Sequence, residues 1–201
     1  MMMKENLKYF EDKLSQLNKE FADYKKKHIG TPEIGKVIEV AGMEWLILDK
    51  TEKGYFVILN GLDGKDRIFD SNSNNWKSSE LRHELNTVFL KKITDVLGED
   101  AVVEFDRDLL SLDGQTEYGQ CKDKISLLTV DEYRKYRKFL PNMHKWWWLI
   151  TPWSIPANDY SKTITVVSPS GNVSLNYYGD VVGVRPVCIF SSSIFESGND
   201  D

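Results

Sequence analysis

The chain has 201 residues, 41% hydrophobic and 12% aromatic, with a formal charge of -5. That composition supports one substantial core and little beyond a single domain with an appendage. Charges appear from Lys4 onward and no long apolar run occurs, so neither a membrane span nor an export signal is supported, and the expected location is cytoplasmic. The first thirty residues hold seven lysines and five acids, leaving 19 basic against 26 acidic residues in the body. An acidic body repels phosphates, so direct nucleic-acid binding is not expected.

Leu7, Phe10, Leu14, Leu17, Phe21, Tyr24 and His28 recur at alternating spacings of three and four with polar residues between them. This predicts an amphipathic helix over residues 1–30 with a heptad seam. Its face has two readings: self-association into a homo-oligomer through Leu7, Phe10, Leu14, Leu17, Phe21 and Tyr24, or docking on its own domain. Lys25-Lys26-Lys27 reads as a solvated helix end, and Gly30-Thr31-Pro32 stops the helix.

Beyond the linker the pattern changes to short apolar runs. Strands are expected at Lys36 to Val40, Glu44 to Asp49 and Tyr55 to Asn60, with turns at Ala41-Gly42-Met43 and Glu52-Lys53-Gly54 and Trp45 inside. Ser78 or Ser79 caps a helix whose Leu81, Leu85, Val88 and Phe89 share a face, and a second helix runs from Leu90 to Leu97, closed by Gly98. Val102 to Phe105 reads as a strand, Leu112 to Gln120 as a loop, and Ile125 to Leu128 as a strand. The capping box Thr129-Val130-Asp131-Glu132 opens a helix to Phe139. Trp147 to Ile150, Thr163 to Val167, Val173 to Tyr177 and Val184 to Phe190 are the later strands, with a hairpin turn at Ser168 to Asn172 and a polar tail from Ser191.

Gly42-x-x-Trp45, Trp76-x-x-Ser79-x-Leu81-Arg82-x-x-Leu85-Asn86, Asp123-Lys124-Ile125-Ser126, Trp147-Trp148-Leu149 and Val184-Arg185-Pro186 follow one another in order. This series resembles an uncharacterised family of bacterial and bacteriophage domains with the signatures W-x-x-S-x-L-R-x-x-L-N, W-W-L-R-S-P and G-V-R-P. That family is similar to C-type-lectin-like folds and to the formylglycine-generating-enzyme group. The resemblance covers roughly residues 35–190. Where the family has Arg-Ser-Pro, this chain has Ile150-Thr151-Pro152, so no role of that arginine carries over. The resemblance implies an α+β domain over residues 31–190 with a C-type-lectin-like mixed antiparallel sheet and two or three helices, between the amino-terminal helix and a flexible acidic tail at 191–201. It also implies a phage or mobile-element origin, with a bacterial cytoplasm or a virion as the setting.

For chemistry, Cys121 and Cys188 stand far apart without ligand spacing, and both read as small apolar residues. His28, His83 and His144 are scattered over separate elements, Asp106 and Asp108 read as loop acids, and the sugar-binding signatures of calcium lectins are missing. No catalytic residue, metal or cofactor is therefore expected. Arg185 reads as a structural arginine paired across the sheet with a carboxylate or carbonyls. Aromatic side chains in loops and strand ends give large contact area at small entropic cost, which makes Trp153, Tyr160, Tyr177 and Tyr178, with Asn158 and Asp159, the candidate recognition face. Trp147 and Trp148 are expected in the core, and Trp153 and Tyr178 have both readings open, core or recognition face. The expected function is a noncatalytic protein-binding module that docks on a partner with a basic surface, as an inhibitor of a host defence nuclease or in receptor recognition. The competing reading is an enzyme of unrecognised type using the loop at 142–160.

Overall fold

The structure, a computed structural model, describes residues 6–17, 20, 32–155 and 162–195. Helix α1 covers residues 6–17, and all of its described residues are exposed. The body is α+β with antiparallel sheets, and none of its described helices is long and apolar enough to cross a membrane.

The first hairpin joins β1 (Val37–Val40) to β2 (Met43–Thr51) through Ala41 and Gly42. Both turn residues have positive φ, 52° and 69°, the geometry of a two-residue type I′ turn, which matches the twist of the flanking strands. Strand β3 (Gly54–Leu59) follows β2 around a second tight turn, closed by Thr51 Oγ1 donating to the Gly54 carbonyl at 3.0 Å.

After Ser79 caps it, helix α2 (Glu80–Glu84) continues through a π-helical turn at Leu85–Phe89 into α3 (Leu90–Leu97). Core residues here are Leu81, Leu85, Phe89 and Ile93, a strict spacing of four. In an α-helix that spacing drifts by about 40° per step. The wider π turn from Leu85 to Phe89 rotates the opposite way and offsets part of that drift, which keeps the four on one face. It also carries Val88 off the face expected for it: Val88 is exposed.

Val102 to Phe105 is not one strand. Strand β4 (Val102–Val103) joins the main sheet, whereas β5 (Phe105–Asp108) turns away and pairs with β6 (Gln120–Asp123), a strand the polar sequence concealed. Strand β7 is Ile125–Ser126, and α4 (Val130–Tyr136) ends three residues before Phe139. Strands β8 (Trp147–Pro152), β9 (Thr163–Val167) and β10 (Val173–Tyr177) form a second antiparallel sheet. The last strand, β11, covers Val187–Ser191 and not Val184.

Strand β11 is inserted into the middle of the main sheet, in the order β1-β2-β3-β11-β4, with β7 also pairing with β11. Both faces of this sheet are covered. Trp45, Ile47, Val57, Cys188 and Phe190 point to one core, under Leu81, Leu85, Phe89 and Ile93. Leu46, Leu48, Phe56, Ile58, Val187 and Ile189 point to the other, under Val130, Tyr133 and Tyr136 of α4. Burial on both faces explains why β2 and β3 read as continuous apolar runs rather than alternating ones.

Candidate functional site

The tryptophan run sorts by strand alternation, because neighbours on a strand face opposite ways. Trp147 enters the second core and Trp148 the first, and both are fully buried. Trp148 Nε1 donates to the Arg67 carbonyl at 2.9 Å, so its one polar atom is satisfied. Trp146, just outside the strand, keeps 42% of its surface exposed. An indole buries ~200 Å² when covered, so leaving this fraction in water forgoes roughly 2 kcal/mol.

Trp146 stands at an open groove of about 460 Å³, lined also by Asp66, His144, Lys145, Asn176, Val181 and Val182. The groove is built on a backbone splice. Gly183 N donates to the Trp146 carbonyl and Trp148 N to the Gly183 carbonyl, each at 3.0 Å, while Arg67 and Val182 exchange backbone bonds at 2.9 and 3.0 Å. A side chain at Gly183 would meet the Trp146 carbonyl oxygen at 2.8 Å and Leu62 at 3.0 Å, so this position needs glycine for close approach. Lys145 Nζ reaches Asp66 Oδ2 at 2.7 Å across the rim, and Val181 is 66% exposed beside it. The result is a groove of mixed lining with an exposed indole, an exposed Val181 and an ion-paired edge.

The sequence-derived recognition face is only partly assembled here. Tyr177 is 44% exposed, with its ring against Gly179, but Asn176 lines the groove and Tyr177 does not. Tyr178 is a correction: it is 8% exposed and part of the first core. Its carbonyl accepts from Phe69 N and Asp70 N, and these bonds tie the ring inward. Trp153 is half-buried and its backbone N–H donates to the Thr163 carbonyl at 3.2 Å. Asn158, Asp159 and Tyr160 lie outside the described residues, as do Phe21 and Tyr24 of the helix seam. Trp146 has no place in the sequence-derived face; Asn142, His144 and Lys145 just before it are the signal that the chain is still at the surface there.

The remaining motif residues are held in structural work. Trp76 Nε1 donates to Asp123 Oδ2 at 2.7 Å and Arg82 Nε to Asp123 Oδ1 at 2.6 Å, and the Asp123 side chain is wholly buried. Asn86 accepts from Lys124 N and Ile125 N and donates to the Ile125 carbonyl, which pins the π-turn to β7. Arg185 is fully buried, donates from Nε to the Leu59 carbonyl at 2.9 Å, and lies 5.4 Å from the Trp147 ring centre. It meets the expected carbonyl. Its two terminal amino groups have no hydrogen-bond partner, and burial pulls its pKa down to about 10.

A second groove of about 440 Å³ runs beside α4. There Arg107 makes a two-pronged bond to Glu132, 2.6 Å on each side, and donates to the Leu127 carbonyl. Glu132 also closes the capping box by accepting from Thr129 N. Ser111 Oγ donates to Asp113 at 2.5 Å, which holds that carboxyl below its ordinary range. His83 and His144 lie away from this pair, on α2 and in the Trp146 groove. Among the described residues no group of three or more His, Cys, Asp or Glu could hold a metal ion.

No family model matches the chain, and no curated protein or solved structure matches it.

Proposed function

We propose that this chain is a noncatalytic module that docks on a partner protein through the Trp146 groove. The observation that carries the reading is the exposed indole: the fold buries Trp147 and Trp148 completely and leaves Trp146 partly in water beside Val181 and Val182. Binding hot spots are commonly of this kind, an aromatic anchor ringed by polar residues that exclude water. Lys145 and Asp66 supply such a rim. The excess of acids in the body favours a partner with a basic surface, since complementary charge speeds encounter.

The scaffold is read as C-type-lectin-like on the strength of its motif order and of a last strand that closes the main sheet. The same motif order supports a bacterial or phage setting and the expectation that the partner is a host protein.

Affinity capture from bacterial lysate with the wild-type chain and with Trp146→Ala tests the proposal. A partner retained by the first and lost by the second, at equal melting temperature, is the expected result. Equal retention of every captured protein by both removes the groove from consideration.

A further inference from the structure

Helix α1 buries nothing against its own body. Leu7, Phe10, Leu14 and Leu17 are 60–66% exposed, although they form one face at heptad spacing. A shallow groove of about 380 Å³ follows that face between Phe10 and Glu20. Four large apolar side chains in a row on a helix surface call for a cover.

We propose that this face pairs with the same face of a second copy, with the two helices antiparallel. A two-fold interface must be self-complementary. With Leu14 set against the second copy's Leu17, the flanking positions bring Lys13 opposite the second copy's Glu20, and Glu20 opposite its Lys13. Both residues line the groove. In a parallel in-register pair Lys13 and the second copy's Glu20 stand a full heptad apart and do not meet. The dimer carries two Trp146 grooves, which raises avidity for any partner that presents two sites.

Sedimentation of the full chain tests this. The wild type is expected as a dimer, and Leu14→Asp/Leu17→Asp as a monomer with unchanged melting of the body. Lys13→Glu alone and Glu20→Lys alone should each weaken the dimer about tenfold, because each turns two attractive contacts into repulsive ones. Combining them, Lys13→Glu/Glu20→Lys, should restore it. A monomeric wild type, a dimer that survives Leu14→Asp/Leu17→Asp, or a double charge swap that stays weak overturns the proposal.

Discussion

Arg82 and Asp123, 41 residues apart, meet at 2.6 Å, and the second oxygen of the same carboxylate accepts from Trp76 at 2.7 Å. One buried acid thereby clamps the start of the helical layer to β6. Arg82 extends the clamp by donating to the carbonyls of Lys77 and Lys122. The W-x-x-S-x-L-R motif is thus a structural device: Trp76 and Leu81 fill the core, Ser79 caps the helix, and Arg82 ties it down.

Asp123→Ala is expected to cost about 3 kcal/mol or more of folding stability, since it strands a partly buried guanidinium and a buried indole N–H. Urea unfolding of the two proteins reads the difference. A loss below about 1 kcal/mol would contradict the clamp.

The tryptophan run offers an internal control. Trp148→Ala should cost roughly 3–5 kcal/mol, the usual range for emptying a core indole site, because Trp148 is fully buried against Phe69 with ring centres 5.8 Å apart. Trp146→Ala should cost less, because 42% of Trp146 already faces water. The reverse order would show that the indoles had been assigned to the wrong sides.

Much of the scaffold was legible from the sequence, for identifiable reasons. The helix Leu90 to Leu97 and the strands Thr163 to Val167 and Val173 to Tyr177 have sharp local punctuation, and their bounds match residue for residue. Thr129 and Glu132 form the capping box their spacing announced. Misreadings fell where tertiary contacts decide. Strand β6, Gln-Cys-Lys-Asp, has no apolar pattern because its hold on the fold comes from pairing with β5 and from the Asp123 clamp. Val102 to Phe105 looks continuous in sequence but feeds two sheets. The site was less legible than the scaffold: Tyr178 is drawn inward by backbone bonds to Phe69 and Asp70, which no local signal carries. Trp146 is left outside because β8 begins one residue later.

Acid dependence should trace in part to Asp49. Its carboxylate accepts from Lys135 Nζ at 2.8 Å and from the Tyr136 hydroxyl at 2.7 Å, and these bonds, the Lys135 one foremost, hold it below the ordinary carboxylate value. A depressed folded pKa gives stability that is complete above the unfolded value of roughly 4 and is lost as pH falls through the folded one. Asp49→Asn should therefore flatten the fall of unfolding free energy on the acid side of that value. An unchanged slope would show that Asp49 is not a contributor.

The thiols should be sluggish. Burial pushes the Cys188 thiol well above its usual pKa, and burial followed by the nearby Asp123 charge raises Cys121. Iodoacetamide at neutral pH should label the half-buried Cys121 slowly and Cys188 only after unfolding. Fast labelling of Cys188 in the native protein would place it outside the sheet interior.

At Gly183, an added methyl group would press on the Trp146 carbonyl at 2.8 Å and force the splice apart. Gly183→Ala should lower stability by about 1–3 kcal/mol and weaken partner capture together. Retained capture with lowered stability would detach the splice from the groove's function.

The central claim, that the Trp146 groove is where a partner docks, is tested most directly by hydrogen–deuterium exchange of the full chain with and without the captured protein. Slowed exchange is predicted at Lys145 to Trp147 and at Val181 to Gly183, with residues 106–114 beside α4 unchanged. Protection confined to 106–114, or none around Trp146, would contradict it.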